Sequence, residues 1–263
     1  MLSEKMDDVP PTIARTSAGD PARTIELLWR RPGARPAQRG PRQGHTVDEV
    51  VAAAIAVADE EGLDATTMRR VAQALGIGTM SLYTYVPGKA ELLDLMLDTV
   101  LGQMPRPDLS ELPWRARLEA VARANLTLYE RHPWMLTVST TRPPLGPGVL
   151  AKYEHELRAF EGLGLDDVEI DAALTYLLGF VHSSARSAAD QRAARSDAMT
   201  DEQWWAVSSP LLARVYDEAA YPTASRVGAA AGAAHNAAYS AGHAYEFGLQ
   251  RVLDGLQVLI ERR

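Results

Sequence analysis

Cysteine is absent from the 263-residue chain. That excludes disulfides, thiolate zinc sites, iron–sulfur clusters and a cysteine nucleophile. Long apolar stretches are missing too. The longest uninterrupted run, Val50–Ala58, is far short of the ~20 residues a membrane span requires. The first thirty residues carry Asp7, Asp8, Pro10 and Pro11 and no apolar core of the secretory kind. The expected setting is therefore soluble, reducing and cytoplasmic, with no membrane partner. Net positive charge is also lacking: 27 Lys and Arg stand against 34 Asp and Glu, a formal balance of -7. A nucleic-acid binder held by bulk charge is thereby disfavoured, although local patches are not.

Enzyme signatures are equally scarce. The six histidines at 45, 132, 155, 182, 235 and 243 show no metal-ligand spacing, and no GxSxG elbow occurs. The fragments Gly76-Ile-Gly78 and Gly146-Pro-Gly148 follow no strand, so a dinucleotide fingerprint fails. The acidic pairs Asp166-Asp167 and Glu60-Glu61 read as helix-end charges. Neither catalysis, nor a resident metal, nor a cofactor is expected. One open reading is a small-molecule-binding all-α protein or enzyme without DNA binding.

Charge is unevenly placed. Residues 30–89 hold eight basic and six acidic side chains, a balance of +2, leaving -9 for the rest. Arg30, Arg31, Arg35, Arg39 and Arg42 fall within thirteen residues that contain no acid. Pro32, Gly33, Pro36, Gly40, Pro41 and Gly44 interrupt them, so the stretch reads as an extended basic arm or an ordinary solvated linker. The chain divides into an arm over residues 1–44, a small unit over 45–104 and a larger body over 105–263.

After the arm the pattern is helical almost throughout, and the fold class is all-α. Thr46 and Glu49 have capping-box spacing ahead of Val47, Val50, Val51, Ala54, Ile55 and Ala58, and Gly62 ends that helix. Thr67 caps a short helix to Leu75, and a second runs from Thr79 to Val86 before Pro87-Gly88. Lys89 opens a longer apolar helix. Further helices are expected over 114–131, 149–161, 166–194, 200–220 and 244–260, with 140–148 a loop. Residues 223–234, rich in Ala and Gly, read as either a loop or a weak helix.

The segment Met68–Val86, MRRVAQALGIGTMSLYTYV, meets the demands of a DNA-reading helix-turn-helix. Ala72 leaves room where the second helix crosses the first. Gly76 accepts the left-handed turn conformation. Val71, Leu75, Ile77, Leu82 and Tyr85 stand where clamping side chains belong. The second helix is expected in the major groove, presenting Thr79, Met80, Ser81, Tyr83, Thr84 and Tyr85. Arg69 could grip a guanine edge, and Lys89, beside free helix N–H groups, could hold a phosphate.

From Thr46 to about Val100 the chain resembles the DNA-binding domain of the tetracycline-repressor (TetR) family. The likeness rests on Thr67-Met68-Arg69-Arg70-Val71-Ala72, Leu75-Gly76-Ile77-Gly78, Ser81-Leu82-Tyr83-Thr84-Tyr85-Val86, Lys89 and Leu92-Leu93. The resemblance implies phosphate contacts for Tyr83 and Lys89, a backbone contact for Thr67, and base-facing roles for Arg69, Thr79, Met80 and Thr84. More loosely, the remainder resembles the family's ligand-binding domain, through Leu112-Pro113-Trp114-Arg115, Arg131-His132-Pro133-Trp134 and Leu177-Leu178-Gly179-Phe180-Val181.

The family implies a homodimer that binds a double-stranded palindromic operator as a repressor and is released by a small-molecule effector. The dimer would form through the 166–194 and 244–260 helices. Ile170, Leu174, Leu177 and Val181, with Leu249, Val252, Leu253, Leu256, Leu259 and Ile260, offer two apolar stripes for it. Either stripe could instead be internal core. Trp134, Tyr176, His182 and Arg186 are the ligand-binding candidates, His182 and Arg186 sharing a helix face at a spacing of four.

Overall fold

Asp20 followed by Pro21 is a helix-start signal inside the segment expected to be an arm. In the computed structural model, which describes residues 14–31, 44–194, 199–235, 237 and 239–262, it starts one. Helix α1 (Pro21–Leu28) has Asp20 as its N-cap, accepting from the Arg23 N–H at 3.0 Å, and proline in its first turn. Before it, β1 (Ala14–Arg15) pairs in parallel with β2 (Val138–Ser139). The stretch around Arg35, Arg39 and Arg42 lies outside the described residues.

Helix α2 (Val47–Glu61) carries the expected capping box: the Thr46 hydroxyl accepts from the Glu49 N–H, and the Glu49 carboxylate from the Thr46 N–H. Gly62, at φ +85, ends it. Thr67 caps α3 (Met68–Ala74), and Gly76, at φ +67, makes the left-handed turn into α4 (Thr79–Leu82). The regular part of α4 is one turn, shorter than the expected helix to Val86. The chain tightens there into three-residue bonds from Thr84 to Ser81 and from Tyr85 to Leu82. Pro87 lacks an amide hydrogen and disfavours helical backbone at Val86, so regular helix cannot run on.

Helix α5 (Lys89–Gly102) follows, then α6 (Trp114–Arg131), a 3₁₀ turn over Pro133–Thr137, α7 (Pro147–Arg158) and α8 (Asp167–Ala194). Helix α9 (Asp201–Val215) starts on the expected Thr200–Gln203 capping box and ends five residues early. The segment left open between loop and helix is α10 (Pro222–His235). Helix α11 (Ala241–Ile260) begins three residues sooner than expected, capped by Ser240. The chain forms two units. One takes the described residues up to Asp108 together with Arg131–Arg158; the other takes Leu109–Glu130 and the described residues from Ala159 onward.

In the first unit α5 is the central helix, buried through Leu92, Leu93, Leu95, Met96 and Leu97. It also buries Glu91, Asp94 and Asp98 along its length. Each serves backbone: Asp94 accepts from the Ser17 N–H at 2.9 Å, Glu91 from Asp20 at 3.2 Å, and Asp98 from Val149 at 2.8 Å. Burial pushes both Asp94 and Asp98 above the ordinary carboxylate range, offset in part by these N–H donors. The second Asp94 oxygen has no hydrogen-bond partner among the described residues.

A carboxyl raised in the folded state takes up its proton preferentially there. Its contribution to stability therefore falls as pH climbs from the ordinary carboxylate value through the raised one. Asp94→Asn keeps an acceptor for Ser17 and removes the charge. It is expected to melt above the wild type at pH 7 and to lose that advantage toward pH 4. Equal differences at both pH values in thermal unfolding would contradict a buried charge at Asp94.

In the second unit Leu174, Leu177 and Val181 of α8 and Leu249, Val252, Leu253 and Leu256 of α11 are buried where these two helices pack. Both stripes are thus occupied inside the chain, so these side chains are not available as a dimer face; Ile170, Leu259 and Ile260 are half-buried. An apolar stripe reports that a face is covered, not by what. The apolar side chains left exposed on the same helices are Val168, Tyr176, Phe247 and Val258.

Candidate nucleic-acid interface

The helix-turn-helix is held from beneath. Val71 and Leu82 are fully buried, Ala72 nearly so, and the Ile77 N–H reaches back to the Ala72 carbonyl at 3.0 Å. Leu75 and Ile77 are half-buried at the rim of the turn. With Leu82 pinned inward, its neighbours along the chain must face out. Met80 is 80% exposed and Tyr83 44%, and Ser81 and Thr84 are exposed. Thr79 is half-buried at the helix start. The Thr84 hydroxyl donates to the Ser81 carbonyl at 2.7 Å, which fixes its rotamer and leaves its lone pairs as acceptors.

Tyr85, expected both as a clamp and on the outward face, is a clamp. Only 6% exposed, it is part of the core beneath the turn rather than of the outward face. It serves as one of the clamps, and its ring is withheld from DNA. Thr67 is exposed, and its hydroxyl accepts from the Arg70 N–H at 3.1 Å as the α3 cap.

Three cations surround this face, and they differ in commitment. Arg70 is paired with Glu61, its Nε 2.9 Å from Oε1; the guanidinium holds that carboxyl below its ordinary range. Arg69 is exposed with no ion-pair partner among the described residues. Lys89, exposed at the first position of α5, donates to the Leu63 carbonyl at 3.3 Å, a weak neutral contact that leaves its charge uncompensated. No acid occurs between Asp64 and Glu91. A local positive field thus sits on a chain that is acidic overall.

Two features beneath the interface have no sequence signal. The Asp59 carboxylate at the end of α2 takes both the Trp134 indole N–H at 2.8 Å and the His132 Nδ1 at 2.7 Å on one oxygen. Its neighbours Glu60 and Glu61 read as helix-end charges, and nothing in the sequence singles Asp59 out from them. Its truncation to Ala would strip both buried rings of their partner, at about 1–3 kcal/mol. In a Trp134→Phe background the same truncation should cost less, by a double-mutant cycle of unfolding free energies. The second unforeseen feature is the attachment of residues 14–20 to α5.

The ligand-binding candidates do not come together as one site. Trp134 is buried in the first unit on Asp59, so its polar handle is already used. The other three lie on α8 in the second unit. Tyr176, 62% exposed, is six residues from His182, which turns it well away around the helix. His182 packs edge-on to Tyr129, ring centres 5.4 Å apart; burial, then the Arg186 charge, lower its pKa. Arg186 is exposed and reaches Asp190 at 3.4 Å. Among the described residues no three His, Asp or Glu side chains group as a metal site, and no helix is long and apolar enough to cross a membrane.

Comparison with known proteins agrees with this geometry. Residues 50–96 match the bacterial regulatory proteins, tetR family, and residues 106–260 match the tetracyclin repressor-like, C-terminal domain. The HTH-type transcriptional repressor DrrR1 of Streptomyces coeruleorubidus is 46% identical over 94% of this chain and 90% of its own. Among solved structures, ActR of Streptomyces coelicolor in complex with actinorhodin aligns with a TM-score of 0.68 at 26% identity, covering 82% of this chain and 97% of that one. Apo ActR aligns with a TM-score of 0.66 at 25% identity, covering 82% and 98%. A buried clamp, a left-handed glycine turn and an outward one-turn helix flanked by uncompensated cations are what such a regulator needs, and the chain belongs to the TetR family of helix-turn-helix transcriptional regulators.

Proposed function

We propose that the protein is a homodimeric repressor, not an enzyme, that works in the cytoplasm and leaves a palindromic operator when a small molecule binds the second unit. The observation that carries this reading is the outward face of α4, with Met80, Ser81, Tyr83 and Thr84 exposed and Arg69 and Lys89 beside them. Tyr83 and Lys89 hold phosphates, Thr67 adds a backbone contact, and Arg69, Thr79, Met80 and Thr84 face bases. Two copies present α4 to major grooves one helical turn, ~34–36 Å, apart. The sites of the DNA reader lie within residues 45–104 and the sensor within 105–263. The dimer uses the outer faces of α8 and α11, where Val168, Tyr176, Phe247 and Val258 are exposed. The effector lowers affinity by favouring a different spacing of the two readers. His182, with Tyr129 against it, and Arg186 are the polar groups proposed to meet it. That ActR has been solved with actinorhodin supports a small-molecule effector here.

A mobility-shift assay with the DNA upstream of the protein's own gene tests the reading. A shifted complex carrying two chains is expected, and its dissolution by a screened small molecule identifies the effector. Absence of any shift from a folded dimer would overturn it.

The basic arm is proposed to track phosphates or enter a neighbouring minor groove. Deletion of residues 1–43 is a poor test, since it also removes Ser17 and Asp20 from α5. Substituting Arg35, Arg39 and Arg42 by Gln avoids that. The slope of log affinity against log salt should then flatten by up to about 2.7 per copy. An unchanged slope would exclude the arm from the interface.

A further inference from the structure

The first unit contains a cleft of about 500 Å³ lined by Arg15, Thr16, Ser17 and Ala18 from the N-terminal segment and by Ser139, Thr141 and Arg142 from the loop after β2. Its size lies within the range of small-molecule sites. No acidic residue lines it. Neither Arg15 nor Arg142 has an ion-pair partner among the described residues.

Backbone hydrogen bonds bring the two arginines together. The parallel bridge sets Arg15 opposite Ser139, and the Thr16 N–H donates to the Ser139 carbonyl at 3.1 Å. The Thr16 hydroxyl, in a buried residue, donates to the Arg142 carbonyl at 2.5 Å. Ser17, in the left-handed region at φ 52, gives its N–H to Asp94. That anchors the segment to α5. The Ser139 and Thr141 oxygens are 3.1 Å apart, so their mutual contact uses only one of the two O–H groups. Two arginines without ion-pair partners among the described residues, and a spare hydroxyl donor, thus line one cleft on a scaffold that does not depend on a ligand.

We propose that this cleft binds a phosphate-type oxyanion, with Arg15 and Arg142 as its two forks. A guanidinium pairs with two oxygens at once, so two of them suit a phosphate, with four oxygens set tetrahedrally around phosphorus, better than a planar carboxylate with two. The phosphoryl group has two available sources: a free phosphorylated small molecule, or a backbone phosphate of bound DNA. Bound there, the anion ties the N-terminal segment to the 139–142 loop.

The experiment has two arms, both on the full chain at fixed ionic strength. Without DNA, inorganic pyrophosphate is titrated by calorimetry and by thermal unfolding. A free ligand is indicated by saturable binding and a raised melting temperature, both weakened at least tenfold in Arg15→Gln and Arg142→Gln and retained in Lys89→Ala. In the second arm, operator affinity is measured against salt. A DNA phosphate in the cleft is indicated by a slope flattened by about 0.9 per copy in each arginine variant. The DNA arm rests on the proposed operator binding. If wild type binds no operator, that reading fails and pyrophosphate alone decides the cleft. Pyrophosphate binding that persists in both arginine variants, or no pyrophosphate binding together with an unchanged salt slope, would overturn the proposal.

Discussion

The combined variant Ser81→Ala, Tyr83→Ala, Lys89→Ala is expected to lose operator binding by more than about 100-fold while remaining a folded dimer. The magnitude follows from removing one charge-assisted and two hydroxyl hydrogen bonds in each half-site, at about 1–3 kcal/mol apiece for groups meeting a charged partner. The retained fold follows from exposure: none of the three side chains is buried, and among the described residues the Lys89 ammonium reaches only the Leu63 carbonyl, at 3.3 Å. Mobility shift gives the affinity, and thermal unfolding with sedimentation gives the fold and assembly. A folded variant that shifts the operator as well as wild type would move the DNA-reading surface away from α4. The buried neighbour supplies the contrast: Leu82→Ala should weaken DNA binding only through the packing it supports, with a lowered melting temperature, since its side chain is fully enclosed.

The largest loss of stability is expected from Gly148→Ala. Helix α7 begins against α5, and a Cβ at Gly148 would lie 2.0 Å from the Asp98 carbonyl oxygen and 2.9 Å from the Gly102 nitrogen. Both obstacles are main chain within a helix, so neither can rotate aside. The helices must part, loosening the Asp98 contact with the Val149 N–H. Overpacking of this kind costs about 3 kcal/mol or more, which corresponds to a fall of roughly 6–12 °C in melting temperature. Gly255→Ala is the matched control, because nothing lies within 4 Å of the added methyl and its backbone is helical. A Gly148 variant as stable as that control would show that α7 does not need the close approach.

What was legible in the sequence were features that act locally. The capping boxes at Thr46 and Thr200, the glycines at 62 and 76 and the Thr67 cap depend on residues within one turn. The clamp positions Val71 and Leu82 followed from helical spacing alone. Features that depend on a distant partner were not legible. The apolar stripes of α8 and α11 cover each other within one chain, a choice that periodicity cannot make. Tyr85 was ambiguous for a related reason, since a tyrosine suits an outward face or a clamp, and only the path of the chain into Pro87 decides.

The interface itself was more legible than its supports. Met80, Ser81, Tyr83, Thr84, Arg69 and Lys89 are exposed, as the helix-turn-helix motif led one to expect, whereas Thr79 is half-buried and Tyr85 buried. Asp59 did not stand out from the Glu60-Glu61 pair beside it, because its partners lie over seventy residues away. Trp134 suggested a ligand wall because an indole offers an apolar body and one polar handle. In this fold, that handle meets Asp59. The N-terminal helix was signalled by Asp20-Pro21, but its surroundings of arginine, proline and glycine outweighed two residues.

The carboxylate row on α5 bears on how this chain tolerates substitution. Glu91, Asp94 and Asp98 all grip main-chain N–H groups, of Asp20, Ser17 and Val149. Those hydrogens are present whatever side chain residues 17, 20 and 149 carry. Side-chain replacement there therefore preserves the donor, whereas proline removes it. What the contact needs from α5 is an acceptor oxygen at the right reach, which Asp94→Asn retains and truncation to Ala removes. Sensitivity at these contacts should thus fall on the acceptor: truncating Asp98 breaks the bond, whereas changing the side chain at 149 leaves its donor in place.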